Sequence, residues 1–271
     1  MKPIRCRTLP TARIEPRTVR SMFRLFSRYY ADVNFEEFRS DLQEKDECVL
    51  LSTEVCPNEH GSDEMESERI VGFTTLHRTR DHGPRGGTYL FTGDTVLDQC
   101  CWGRRILEKA FFWVMLKEKL RAPLRPLYWM LISKGYVTYL MMVRNFPSSY
   151  PRCDRSTPAP VQQRLDRYYG RRYPDRYSAQ SGLVRSSSAR GAVAGHLADP
   201  RGSMRRDPDV AYFLRHNPDY SDGDELACIA EVRVRDFARH FATAFRHRRN
   251  RRFRAREVNG PTSASGSPQA G

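Results

Sequence analysis

The chain has 271 residues, room for one large domain or two small ones, and carries 46 basic against 32 acidic residues for a formal charge of +14. Forty of the basic residues are Arg and six are Lys. With abundant Ala, Gly and Pro, that ratio reflects a GC-rich coding genome, which discounts basicity as evidence of function. The seven cysteines (6, 48, 56, 100, 101, 153, 228) contain no C-x-x-C pair, which argues against a disulfide framework or zinc site and for a reducing, cytoplasmic setting. The N-terminal arginines lack the apolar core of a signal peptide, and the longest apolar runs, Ala110–Leu116 and Leu127–Ile132, are too short for a membrane span.

In chain order, Thr18–Tyr30 brings Met22, Phe23, Phe26 and Tyr30 to one side at helical spacing. Asn34 is placed to cap a second helix, Phe35–Lys45, whose first turn carries Glu36 and Glu37. Three strands follow: Glu47–Val55, Arg69–His77 and Thr88–Leu97, joined by the acidic stretch Cys56–Glu68 and the turn-rich Asp81–Gly87. Short links make them an antiparallel meander. A helix from about Arg104 to Leu120, striped by Leu107, Phe111, Val114 and Leu116, leads to a fully buried strand, Leu127–Ser133. Strand, helix and strand in that order make the fourth strand parallel to the third. Gly135–Phe146 reads as a further helix, stopped by Pro147.

Beyond Pro147 the composition turns to Arg, Ser, Pro and Tyr, and residues 148–205 read as irregular with a few helical turns. Asp207–Arg215 is a short helix, Asp224–Val234 an apolar helix or strand, and Asp236–Arg246 a helix. The expected organisation is a mixed α/β domain over 1–147, an irregular, mostly helical region over 148–245 packing on it, and a tail over 246–271 that is basic, then Gly/Ser/Pro-rich and disordered. Asp219, Asp222, Asp224 and Glu225 surround Gly223 but miss the D-x-D-x-D-G spacing of a metal loop, so they read as a turn.

The passage from the third strand into its helix is the most informative segment. A glycine-containing, basic turn at a helix N-terminus, where N–H groups are unpaired and the dipole is positive, is a plausible anion site. Together with the order of elements, Thr95-Val96-Leu97-Asp98-Gln99-Cys100-Cys101-Trp102-Gly103-Arg104-Arg105-Ile106-Leu107 resembles the GNAT superfamily of acyltransferases. It looks like that family's strand end and acyl-CoA pyrophosphate loop, Arg/Gln-x-x-Gly-x-Gly/Ala. The signature positions fall on Trp102, Arg105 and Leu107, all changed, and the accompanying glycine remains as Gly103.

The resemblance implies an N-acyltransferase of GNAT-like α/β fold. It would take an acyl group from acyl-CoA or from a phosphopantetheine thioester on an acyl-carrier protein, pass it to an amine, and need no metal. Arg104 and Arg105 would supply mobile charge to the phosphates where glycines are missing, or form a solvated helix face. Backbone groups of Val96 and Leu97 would hold the pantetheine arm if the third strand splays from the fourth. Asp94, a rare charge in an apolar strand, is the expected base, since burial in the cleft would raise its pKa; the alternative is an Asp at a bulge bonding nearby backbone. Tyr139 is the expected acid, with Tyr136 beside it, and either residue can equally be core. The competing function rests on Arg246–Arg256, seven arginines in eleven positions, which suits nonspecific binding of nucleic acid or an acidic partner on a noncatalytic scaffold.

Overall fold

A computed structural model describes residues 3–54, 68–83, 86–104, 106–186 and 202–238. Met1–Arg233 form one compact unit, and Val234–Gly271 a second. Of the second unit, residues 234–238 are described and are helical. The expected tail 246–271, including Arg246–Arg256, lies outside the described residues.

The first unit is built on a nine-stranded sheet. Its strands are β1 (Ile4–Pro10), β2 (Glu47–Glu54), β3 (Glu68–Arg80), β4 (Thr88–Leu97), β5 (Leu127–Ser133), β6 (Ser149–Tyr150), β7 (Tyr177–Ser178), β8 (Leu183–Val184) and β9 (Glu225–Glu231). They lie in the order β1-β2-β3-β4-β5-β9-β8-β7, with β6 also paired to β9. β1 to β4 are the expected antiparallel meander, extended by an N-terminal strand. β4 and β5 are parallel, joined across α3 (Ile106–Arg121). The fold is mixed α/β.

Helices cover both faces. α1 (Pro16–Phe26) turns Val19, Met22, Leu25 and Phe26 onto the sheet, and each fully buried side chain of this size contributes about 1.5–3 kcal/mol. α2 (Phe35–Gln43) starts as its sequence dictates: Asn34 Oδ1 accepts from the N–H groups of Glu36 at 2.8 Å and Glu37 at 3.2 Å. Both helices share a core with Cys48, Leu50, Phe73 and Val96. On the other face, α3 sets Phe111 against Trp129 at 5.8 Å, and Phe146, after α4 (Tyr136–Asn145), packs edge-on to the same indole.

Residues 148–233 do more than cover the N-terminal half. β9 pairs antiparallel with β5 from Tyr128↔Glu231 to Ser133↔Leu226, so an apolar segment from the chain's far end sits inside the sheet. The stretch expected to be irregular also holds a 14-residue helix, α5 (Ala159–Arg172). Its Leu165 and Tyr169 meet Phe91, Met130 and Ile229 in a second core. A further helix, α6 (Pro208–His216), is capped by Asp207, whose carboxylate accepts from Asp209 N and Val210 N.

Candidate functional site: a wedge between β4 and β5

The pairing of β4 with β5 runs from Thr88↔Leu127 to Thr92↔Leu131 and stops there, although β4 continues to Leu97 and β5 to Ser133. The cause lies on the other side of β4. Its register with β3 shifts between Thr74↔Thr95 and Leu76↔Thr92, so Gly93 and Asp94 together oppose Thr75. That is a β-bulge, which bends the strand and ends regular pairing. The bulge is latched locally: Thr95 Oγ1 donates to Gly93 O at 3.1 Å, leaving Thr74 Oγ1 to donate to Thr95 Oγ1 at 2.8 Å. Glycine is required at its first position, because a Cβ on Gly93 would lie 2.6 Å from Thr75 Oγ1.

The extra residue also changes the parity of the strand. Phe91 opposes His77 and Val96 opposes Phe73, so two β4 residues an odd number apart face the same side of the sheet. The ladder bond from Asp98 N to Val71 O is 2.8 Å. By antiparallel alternation, Val96 then bonds back to Phe73, while Thr95 and Leu97 present their backbone groups to the open edge. The strand edge expected at Val96 and Leu97 is therefore offered by Thr95 and Leu97, and Val96 contributes a buried side chain. Two aromatic side chains already meet the open-edge carbonyls. Trp102 Nε1 donates to Leu97 O at 2.9 Å, and Tyr30 Oη donates to Thr95 O at 3.4 Å.

The opened strands frame a cleft of about 1100 Å³. At one end it is lined by Val96, Leu97, Trp102 and Gly103, with Ile106 and Leu107 from the first turn of α3. The loop there is held in shape. Asp98 accepts from Cys100 N at 3.0 Å and from Arg69 at 2.9 Å, and Tyr29 Oη accepts from Gln99 N at 2.8 Å. Burial alone would raise the Asp98 carboxyl, but these hydrogen bonds and the guanidinium outweigh it and hold it below its ordinary value. Gly103 turns the chain at φ +74°, a left-handed conformation that favours glycine. Arg104 is half-buried but lies outside the cleft lining, and Arg105 lies outside the described residues.

At the other end stand the charges. Asp94 lines the cleft with Asp41, Lys45, Lys134 and Glu225. Burial pushes Asp94 up to about 7, Asp41 adds to the rise, and Lys134 and Lys45 oppose it. Burial likewise raises Glu225. Lys45 is tied to Asp41 at 2.6 Å, and the Lys134 ammonium lies 5.7 Å from the centre of the Tyr30 ring. Asp94 is thus the second residue of the bulge and a half-buried acid in the cleft.

Tyr139 is a correction. It is fully buried, stacks on Tyr212 at 6.2 Å, and donates its hydroxyl to Pro151 O at 3.2 Å, outside the cleft. Three positions earlier, Tyr136, in the first turn of α4, lines the cleft with Gly135, Val137 and Thr138. Sequence reasoning also missed Glu225 and Tyr30 as cleft residues. Neither has a local signal, because Glu225 arrives on β9 and Tyr30 from the turn after α1. The Gly223 turn is structural: Gly223 has φ +99°, and Asp224 accepts from Arg185 at 2.7 Å and from Ser186 N at 2.8 Å. Among the described residues no group of three metal-ligating side chains forms, and no helix is long and apolar enough to cross a membrane.

No family model matches the chain, and no curated protein matches it. Solved structures do align with it. NAA60 of Arabidopsis thaliana, in complex with a bisubstrate analogue, is 15% identical over 52% of this chain and 82% of its own, with a TM-score of 0.35. ElaA of Escherichia coli is 12% identical over 55% and 88%, with a TM-score of 0.34. An IAA acetyltransferase from Bacillus cereus is 10% identical over 85% and 100%, with a TM-score of 0.36. The meander and the crossover to a parallel strand form the mixed α/β fold expected from the sequence.

Proposed function

We propose that the chain transfers an acyl group from a thioester to an amine in the wedge between β4 and β5. The observation that carries this reading is the loss of pairing after Thr92↔Leu131, which leaves an unpaired strand edge beside a half-buried acid. An extended arm carrying amides, such as phosphopantetheine, can add to such an edge as a short pseudo-strand, bonding the N–H groups that Thr95 and Leu97 present. Its thioester then lies near the bulge, within the charged end of the cleft.

The chemistry needs three things. An amine arrives as an ammonium, for which the Asp41, Asp94 and Glu225 carboxylates form a suitable end of the cleft. It must lose a proton before attack, and a base with a pKa near 7, as Asp94 has, is matched to that task. The tetrahedral oxyanion needs donors. The first turn of α4 lines the cleft and its N-cap, Gly135, supplies no side-chain cap, so that end of the helix is electropositive. Tyr136 is the proposed acid for the departing thiolate, in place of Tyr139. The donor end is less clearly adapted to a pyrophosphate: Leu107 is buried where the family pattern has a small residue, and Glu108 adds a carboxylate in the same turn. That favours a phosphopantetheine thioester held mainly by its arm. Incubation with acetyl-CoA, or an acylated carrier protein, and a panel of primary amines tests the reading through release of free thiol. Turnover lost in Asp94→Asn supports it; no thiol release from any such donor overturns it.

A further inference from the structure

A second concavity, of about 290 Å³, lies where the end of β3 and the turn after it meet the C-terminal half of α5. It is distinct from the wedge. Arg172 lines this bowl and Phe91 lines the wedge, and the guanidinium lies 4.4 Å from the centre of the Phe91 ring in the wall between them. Five arginines line the bowl, Arg80, Arg164, Arg167, Arg171 and Arg172, against a single lining carboxylate, Asp81. Asp81 approaches Arg167 no closer than 3.9 Å, and its other oxygen accepts from Gly83 N. Among the described residues no carboxylate pairs with Arg80 or Arg171.

Like charges gathered in a concavity repel one another, and the fold holds them there by construction. Spacings of three, four and five residues put Arg164, Arg167, Arg171 and Arg172 on one side of α5. Tyr128, Tyr89 and Tyr168 stack in succession at 5.3 Å, and Arg164 lies 4.2 Å from the Tyr128 ring centre while donating to Tyr89 Oη at 2.6 Å. The dipole at the end of α5 accounts for cations at Arg171 and Arg172. It does not account for Arg164, more than a turn back, or for Arg80, which arrives on a different element.

We propose that this bowl binds the di- or triphosphate group of a small ligand. Guanidinium forks match phosphate oxygens two at a time, and several convergent forks match a chain of phosphates. The size fits a group of that kind and little more. Single-stranded nucleic acid would need an open aromatic face for its bases, whereas Tyr89 is covered on both sides by Tyr128 and Tyr168.

The test is calorimetric titration of the full chain with inorganic triphosphate, at low and moderate salt. Three variants accompany it: Arg167→Ala with Arg171→Ala, Arg80→Ala, and a chain truncated after Phe245. The double variant and Arg80→Ala should each weaken triphosphate binding about tenfold or more, with unchanged thermal melting. The truncated chain should bind as the full chain does. Because Arg80 lies on a separate element from the other two, its effect stands even if the double variant folds poorly. No binding by the full chain, affinity undiminished in both bowl variants, or loss only on truncation would overturn the proposal. So would an oligothymidylate that binds through the same arginines and is not displaced by triphosphate.

Discussion

At the bulge of β4, Asp94 is a half-buried carboxyl group that lines the cleft. Burial beside Asp41 raises its pKa to about 7 from an ordinary 3.8, so the folded chain retains a proton that the unfolded chain has already released. The linkage follows from that direction: Asp94 favours folding most below pH 4, and this contribution is lost as pH rises through 7. Asp94→Asn should therefore be more stable than the parent at pH 8, by roughly 4 kcal/mol at about 1.4 kcal/mol per pKa unit. The difference should vanish toward pH 4, as thermal melting across that range will record. Activity moves oppositely: kcat/KM of the parent rises with pH through about 7, and the variant loses on the order of 10²–10⁴-fold. A second contrast separates two tyrosines three positions apart. Tyr139→Phe removes only the hydroxyl bound to Pro151 O, which should cost about 1 kcal/mol of stability and leave kcat unchanged. Tyr136→Phe should lower kcat and leave stability unchanged.

At the level of elements, the bulge in β4 decides where the site lies. Gly93→Ala would put a methyl group 2.6 Å from Thr75 Oγ1 and 3.1 Å from Lys45 Cε. The strand must shift to accept it, at about 1–3 kcal/mol, so the variant should melt lower and bind donor more weakly, measurable by thermal melting and acyl-CoA titration together. The long apolar or alternating segments were legible in the sequence because each has one strong period. Thr88–Leu97 and Leu127–Ser133 have the expected ends, and the Asn34 cap does what its side chain predicts. β1 was not legible. Its Arg5 and Arg7 face Glu54 and Glu68 across an exposed edge, so no apolar face marks it. α5 hid for a different reason: its buried stripe is little more than Leu165 and Tyr169, in a segment whose arginines and tyrosines read as irregular.

For the whole molecule, the decisive contact is between the middle and the end of the first unit. β9 lies against β5 and carries β6 and β8 on its own pairing edges, and Tyr169 Oη lies 2.8 Å from both Leu131 O of β5 and Cys228 O of β9. A chain ending at Pro147 would leave the fully apolar β5 as a bare edge, which is an aggregation template. Expressed alone, residues 1–147 should give no cooperative melting transition, whereas residues 1–233 should. Composition could not reveal this, because pairing between distant strands leaves no local trace. The Asp224–Val234 segment was apolar enough for either helix or strand, and only its partner decides. The cleft residues between Val96 and Gly103 were readable because they lie close together in the chain. At the charged end only Asp94 was readable, because its neighbours are gathered from α2, the turn after it, β9 and the residues before α4.

The central claim is that a thioester-bearing arm lies along the open edge of β4. Amide hydrogen exchange with and without acetyl-CoA, or a phosphopantetheine thioester, reads that edge directly. The account predicts new protection at Thr95 and Leu97, with Val96, already bonded toward β3, unchanged. Protection of Val96 instead, or ligand binding that leaves all three amides as they were, would contradict it.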